Sequence, residues 1–450
     1  MSVFYTARKT LRNYANSGNV LIAATALALI IVNVPCLTEW YNSLWTHELA
    51  LQVGSFNLFS HHGQPMSIMA FINDALMALF FFSVGLEIKR EVLVGELSSF
   101  RNALLPILAA VGGMAFPVLL YFLMARGTDY AGGWAIPMAT DIAFSLGVLG
   151  MLGNRVPIGL KVFLTTLAVV DDIGGILVIA IFYSSHIDVT LLLWAAACVV
   201  VLVAGGYLGI QSKMFYAFFG TIVWFCFLNA GIHPTIAGVI VAFTIPAKPV
   251  FAPKNYVKII RKNIGYFSHD DDEALNSRTI LDKDQMNWLK EIESASDKVI
   301  SPLQDMEDTL HPLVNYIVVP LFAFANAGIF FGDMEFSQLF HGIAPAIIIA
   351  LLVGKFLGIF LFSWGTIKLK WAPMPDGGTW ASLASVAVLG GIGFTVSLFI
   401  SNLSFGTGDP VLSILLNDAK LGILVASLLA GILGWALLHF TLPKEAQPQE

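Results

Sequence analysis

Charged side chains are scarce in this sequence: Asp, Glu, Lys and Arg together make up 12% of its 450 residues, about half the share in an ordinary soluble domain. Apolar residues take their place, at 57% of the chain with a mean hydropathy of +0.77. That balance excludes a soluble globular protein and suits a chain that crosses a bilayer repeatedly, each crossing needing roughly 20 apolar residues. Cysteine is rarer still. Cys36, Cys198 and Cys226 lie far apart, two of them inside apolar runs, so they read as buried thiols, not as a disulfide or metal framework. The net charge of -6 is small and much of the acid sits in one polar segment, so nucleic acid is not an expected partner. A small-residue cleavage site is missing too. Arg8, Lys9 and Arg12 precede the apolar run from Val20 to Val34, which reads as an uncleaved first span and not as a signal peptide.

The apolar runs give twelve candidate spans, at 17–35, 66–87, 103–125, 133–151, 158–183, 189–208, 214–230, 233–247, 311–331, 342–365, 381–401 and 416–439. The run at 233–247 is short. On this reading residues 1–247 hold spans one to eight, 248–310 form a charged cytoplasmic loop, and 311–450 hold spans nine to twelve of one all-α membrane domain. Loops on the N-terminal side carry Lys89, Arg90, Arg101, Arg155, Lys161, Lys213, Lys368 and Lys370, while the opposite side has almost only Arg126, with Lys420 near the start of the last span. Positive loops stay in the cytoplasm, so both termini are expected there and the span count is even. The polar segment contains the run Asp270, Asp271, Asp272, Glu273 and short helical patterns such as Met286, Leu289, Ile292. It reads either as a solvated loop or as a regulatory one, with those apolar residues packing on the membrane face.

An ionisable group at mid-membrane costs about 2.5–3.5 kcal/mol on insertion scales. Five stand near the middle of spans: Asp74, Asp141, Asp171, Asp172 and Lys355. A structural salt bridge explains one acid and one base. Four acids against one lysine leave charge over, so some acids must hold a proton or meet a cation. Asp171 and Asp172 are adjacent in an apolar stretch and point about 100° apart on a helix. One can face a cation site while the other faces a neighbouring helix. So close together in low dielectric they cannot both ionise freely, and they should titrate as a coupled pair. Lys355 is a candidate partner for one of them.

Two spans are interrupted. The fourth carries Pro137-Met138-Ala139-Thr140-Asp141 and the eleventh carries Gly390-Gly391-Ile392-Gly393-Phe394-Thr395. Breaks in corresponding positions point to a transporter's site, because non-helical backbone at this depth is tolerated only within protein or around a cavity. Spans 3–5 and 10–12 would then be inverted repeats. The alternative is that these glycines serve close helix packing.

At these residues the chain resembles the NhaA family of sodium/proton antiporters over nearly its whole length. The stretches that carry the resemblance are Phe71–Ala78, Gly85–Glu91, Ala139–Phe144, the Asp171–Asp172 pair, His311-Pro312, Pro320–Gly328 and Gly391–Thr395. The resemblance implies twelve helices with crossed, broken fourth and eleventh helices. It implies Asp172 as the main cation and proton carboxylate, with Asp171 as its partner that pairs with Lys355. It places Thr140 and Asp141 at the broken-helix site, where Asp141 and Lys355 offset helix dipoles. Asp74 lies in a family motif without an assigned step. Glu87, Glu91, Glu307 and His311 match a region linked to pH activation, and His233 a histidine at the opposite membrane face; both histidines have ordinary readings as hydrogen-bonded interface residues. The long 248–310 segment, Asp308 in place of an expected histidine, and Pro234 at the start of span 8 depart from the family pattern.

The function this implies is electrogenic exchange of Na⁺ or Li⁺ for protons across a bacterial inner membrane, activated at alkaline pH. Na⁺ would bind at Asp172 and Asp171. No cofactor is expected beyond the transported ions; membrane lipid and a second copy of the chain are candidate partners. A sodium-coupled symporter would need a pocket for an organic solute, and no buried arginine or polar cluster suggests one. An intramembrane aspartyl protease needs aspartates on different helices and a Gly-x-Gly-Asp motif, which is missing. A channel would not require Lys355 beside titrating acids.

Overall fold

The computed structural model describes residues 17–443 except 54–55, 62–63, 185–186, 250–252, 268–282, 333–338 and 407–408; Arg8, Lys9, Arg12 and the acidic run Asp270–Glu273 lie outside the described residues. The chain opens with α1 (Ser17–Asn33) and α2 (Pro35–Thr46), bent from each other by 114°. Pro35 causes the corner: it lacks an N–H and disfavours helix at the residue before it. Short antiparallel strands follow between residues 48 and 67, with Glu48–Leu49 and Ser60–His61 pairing with Gln64–Ser67 and Gln52–Val53 with Phe56–Asn57. The expectation of an all-helical chain did not include them.

Next come α3 (Ile68–Val94) and α4 (Phe100–Ala125), then a 3₁₀ segment, Ala131–Met138, leading at 43° into α5 (Ile142–Met151). They are followed by α6 (Ile158–Phe182), α7 (Val189–Tyr207), α8 (Lys213–Ala230) and the short α9 (Thr235–Thr244). Two amphipathic helices, α10 (Pro253–Phe267) and α11 (Lys283–Val299), precede α12 (Pro302–Asn326) and α13 (Ile343–Lys368). The chain ends in α14 (Trp380–Leu389), bent by 40° from α15 (Phe394–Phe405), and the long α16 (Pro410–Thr441). Among the described residues, eight helices are long and apolar enough to cross a membrane, or eleven if each bent pair is one span. The protein is therefore a helical, multi-pass membrane protein. Helix α9 has ten residues, about 15 Å against a hydrocarbon core of roughly 30 Å.

Pro234 does not interrupt α9; it sits at the N-cap, one residue outside the helix. Helix α12 begins nine residues before the expected 311, because Ser301 caps it by accepting from the Gln304 N–H and Pro302 fits the first turn. The described part of the 248–310 segment is thus largely helical. On α11, Met286 and Leu289 are exposed and Ile292 is half-buried. Cys36 is exposed and only Cys226 is fully buried, so the reading of buried thiols holds for one of three. Lys420 lies ten residues inside α16 and is buried, deeper than its expected place near the span's start.

Glycine sets the two tightest crossings. Where α4 meets α13, Gly112 and Gly358 face each other, and a Cβ on Gly354 would stand 2.7 Å from the Pro117 Cα. Where α3 meets α9, a Cβ on Gly85 would stand 2.7 Å from the Ala242 Cβ. Lys89 then closes the end of α9, donating to the carbonyls of Phe243 (2.7 Å) and Ile245 (2.5 Å). The core divides accordingly. One apolar cluster gathers around α6, α13 and the broken helices, and a second joins α7, α8 and α9 to one face of α3. Large apolar side chains such as Phe100, Tyr207 and Phe440 cover the outside, a surface suited to lipid and not to water.

Candidate functional site

Helix α6 carries the aspartate pair through the most enclosed part of the molecule. Over half of its most apolar stretch is buried, 56%, against 17% for α7. Asp171 and Asp172 are both buried, as are Thr140, Asp141 and Lys355. These five come from three places in the sequence, and two broken helices meet among them.

The breaks touch directly. The Asp141 N–H donates to the Ile392 carbonyl at 2.7 Å, the Ser145 hydroxyl to that of Leu389 at 3.3 Å, and the Ser397 hydroxyl to that of Ile136 at 2.8 Å. Each interruption thereby finds partners for backbone groups that a bilayer would leave unpaired. The glycines at 391 and 393 do not adopt left-handed backbone. They make room: a Cβ on Gly391 would stand 2.6 Å from the Leu351 carbonyl oxygen of α13.

Asp141 serves two helix ends at once. Its Oδ1 accepts from the Phe144 N–H at 2.9 Å, capping α5, while Oδ2 accepts from the Thr395 N–H at 3.0 Å and hydroxyl at 2.6 Å, at the start of α15. Both ends are N-termini, where the helix dipole favours a negative charge. Thr395 is a partner that the sequence reading left unassigned, although its place after Gly-x-Gly-Phe at a helix start marks it.

Lys355 stands at the first turn after a π-helical bulge, Ala350–Gly354, a feature common at functional sites. Its ammonium makes a short, fully buried ion pair with Asp171 Oδ2 and donates to the Thr140 hydroxyl at 3.0 Å. The Thr140 hydroxyl lies 2.7 Å from Asp171 Oδ2 and 3.0 Å from the Gly390 carbonyl, at the C-terminal end of α14. With one proton it can donate to only one of them. Asp172 differs from its neighbour. No hydrogen bond or ion pair reaches its carboxylate among the described residues, and its Oδ1 is fully buried. Asp171 Oδ1 is likewise buried without a partner. Unsatisfied buried carboxylate oxygens are costly, and two adjacent ones offer a place for a cation or a proton. Among the described residues no three His, Cys, Asp or Glu side chains are placed together to hold a metal ion, so further ligands for a cation would be hydroxyl or carbonyl oxygens, which suit hard ions.

Asp74 lies apart, on a second π bulge, Ile72–Leu76. Its Oδ1 is 3.9 Å from His233 Nε2, whose Nδ1 pairs with the Thr235 hydroxyl at 2.8 Å, and the Trp224 indole donates to the Asp74 carbonyl. Next to it a half-buried amide chain runs from Asn73 through the buried Asn326 to Asn402. Glu87, thirteen residues further along α3, is about 20 Å from Asp74 along the helix axis. Arg90 there bridges Glu91 (3.0 Å) and Glu307 of α12 (3.2 Å). His311 is not drawn into that bridge; it is exposed and contacts the Asn315 side chain. The candidates for pH sensing therefore fall into three separate groups, and Arg90, read from the sequence only as an orienting charge, joins one of them.

Buried carboxylates and a lysine at the meeting of two interrupted helices, inside a multi-pass helical bundle, define the class as an integral membrane protein with an ionisable centre of the carrier type. A sequence model of the family described as Na⁺/H⁺ antiporter 1 matches residues 8–438. The chain is 52% identical to a Na⁺/H⁺ antiporter NhaA of Phocaeicola vulgatus, over 99% of this chain and 98% of that one. It is 52% identical to one of Bacteroides fragilis (98% and 99%) and 45% identical to one of Porphyromonas gingivalis (96% and 94%). The chain belongs to the NhaA family of antiporters.

Proposed function

We propose that this protein exchanges Na⁺ or Li⁺ for protons across the bacterial inner membrane, electrogenically and with activation at alkaline pH. The observation that carries the reading is the buried Asp172 carboxylate without a partner, beside an Asp171 already held by Lys355 and Thr140. A lone ionised carboxylate at that depth needs a counter-charge. A proton or a cation meets that need, and not both, so each drives the other off. Asp172 binds the cation together with the free Oδ1 of Asp171. One proton traded for one Na⁺ leaves the charge of the site unchanged; a second proton, lost from Lys355 when the cation arrives, makes the cycle electrogenic. The empty, deprotonated site cannot reorient, because its bare charge is too costly to carry across. Asp141 stays ionised throughout, matched to two helix N-termini.

The architecture that goes with this function has twelve spans, with α9 completed by its flanking residues as the eighth. Spans 3–5 and 10–12 form inverted repeats that rock about the site, both termini lie in the cytoplasm, and residues 248–310 face it. The test is collapse of a proton gradient in everted vesicles on adding NaCl, LiCl or KCl from neutral to alkaline pH. Collapse with Na⁺ and Li⁺ is expected, rising with pH and lost in Asp172→Asn. That variant removes a carboxylate with no partner, so the protein should fold and insert normally. Na⁺-dependent proton flux retained in Asp172→Asn would overturn the assignment.

A further inference from the structure

Helices α10 and α11 form an antiparallel hairpin. Tyr256 pairs with Ser296 through their hydroxyls at 3.0 Å, Asn263 donates to Glu291 at 3.2 Å, and Tyr266 stacks on Trp288 with ring centroids 5.4 Å apart. These rungs use Tyr256 and Asn263 to set the face of α10 that meets α11. At about 100° per residue, Val257, Ile260 and Ile264 fall within a sector of about 60° just beside that face. Val257 and Ile264 are exposed, Ile264 at 55%. On α11, Leu289 and Met286 lie on the same rotational side of the contact face, and both are exposed. Because the helices run antiparallel, the same rotation places both sets on one side of the hairpin. The result is a shared apolar face that nothing in the chain covers among the described residues.

The charge beside that face has one dominant sign. Between Pro253 and Phe267 the chain has Lys254, Lys258, Arg261 and Lys262 and no acid. Arg261 and Lys254 border the apolar strip, with Lys258 and Lys262 behind them; on α11 the two acidic positions 293 and 297 fall on the same side. A basic helix with an exposed apolar edge is the pattern of a segment lying in a membrane interface. The base of the hairpin is held at the membrane. The Leu303 N–H donates to the Pro246 carbonyl at 3.2 Å, tying the start of α12 to the end of α9. Pro253 follows Pro246 by seven positions, a reach of at most about 25 Å.

We propose that this hairpin docks on the bilayer surface, its apolar face in the acyl boundary and its lysines and arginine on anionic phospholipid headgroups. Each such cation strengthens binding to an anionic surface roughly fivefold, so four give on the order of several hundredfold. The docked hairpin fixes the start of α12, whose Glu307 meets Arg90 on α3, and so connects lipid charge to that bridge.

The test uses the full chain with its three cysteines replaced, reconstituted in phosphatidylcholine with or without phosphatidylglycerol. A fluorophore is placed at Ile264→Cys, at Leu289→Cys, or at Asn287→Cys on the opposite side. With phosphatidylglycerol, bromolipids should quench the labels at 264 and 289 and spare the one at 287. High salt, or glutamine at all four basic positions, should abolish that quenching. Aqueous iodide reaching label 264 equally in both lipids overturns the proposal. So does protection that depends on protein density and not on lipid charge, which would mean that a second copy covers the face. Na⁺-driven proton movement in the same vesicles is read alongside, so an unmodified hairpin that fails to dock on phosphatidylglycerol while exchange is intact refutes the docking alone.

Discussion

The Lys355–Asp171 pair costs more to break than it contributes. Both groups are fully buried, and removing one partner of such a pair typically costs about 3–5 kcal/mol because a bare charge remains. Lys355→Met is therefore expected to lower the unfolding temperature in detergent sharply. The double variant Lys355→Met/Asp171→Leu should recover most of that loss, a coupling that a thermodynamic cycle would measure. Asp141 makes a second prediction. It caps two helices, and each lost cap costs about 1 kcal/mol, so Asp141→Ala should destabilise by about 2 kcal/mol. Asp141→Asn, which keeps one acceptor oxygen and so one of the two caps, should lose about half as much. Equal losses in the two variants would mean that the caps carry little of the energy.

At the scale of elements, glycine decides how close the site helices come. A Cβ on Gly358 would run into the backbone of Gly112, whereas one on Gly365, about two turns further along α13, meets nothing within 4 Å. Gly358→Ala should cost about 1–3 kcal/mol through overpacking, while Gly365→Ala should gain up to about 1 kcal/mol of helix propensity. Thermal unfolding of the two variants separates the effects. This contrast also marks what could be read before the structure. Asp171, Asp172 and Lys355 were visible because an ionisable group in an apolar run is costly wherever it sits. The interruptions at Pro137 and Gly390–Gly393 were visible because proline and glycine clusters break helices. Which glycines separate helices and which admit a neighbouring carbonyl was not visible, since that depends on what packs opposite. The π bulges before Lys355 and at Asp74 leave no mark in composition, and the Asp141–Thr395 contact joins residues 254 apart in sequence. The start of α12 was missed for a simpler reason: its first turns are polar, and an apolar window begins where hydropathy rises, not where Ser301 caps the helix.

For the whole molecule, the two ends of α3 carry different ionisable contacts, and the one at Arg90 joins separate parts of the bundle. Arg90 holds Glu91 on its own helix and Glu307 on α12. The tie to α12 exists only while Glu307 is ionised, so acidification dissolves it and alkalinity restores it. If exchange runs faster when α3 and α12 are tied, the rate must rise with pH over the range in which Glu307 loses its proton. Glu307→Gln removes one arm at every pH. Its exchange rate in everted vesicles is therefore expected to stay near the low, acid-side level of the unmodified protein and to respond weakly to pH. Because Arg90 is about one-third exposed, 37%, its attraction is partly screened and weakens further as salt rises. High salt should push the unmodified protein toward the same flat profile. His311 supplies the contrast, being exposed and bound to Asn315, outside the bridge. His311→Ala should leave the pH profile where it was. A profile that shifts in His311→Ala and stays in place in Glu307→Gln would reverse the assignment and put the pH response on the histidine.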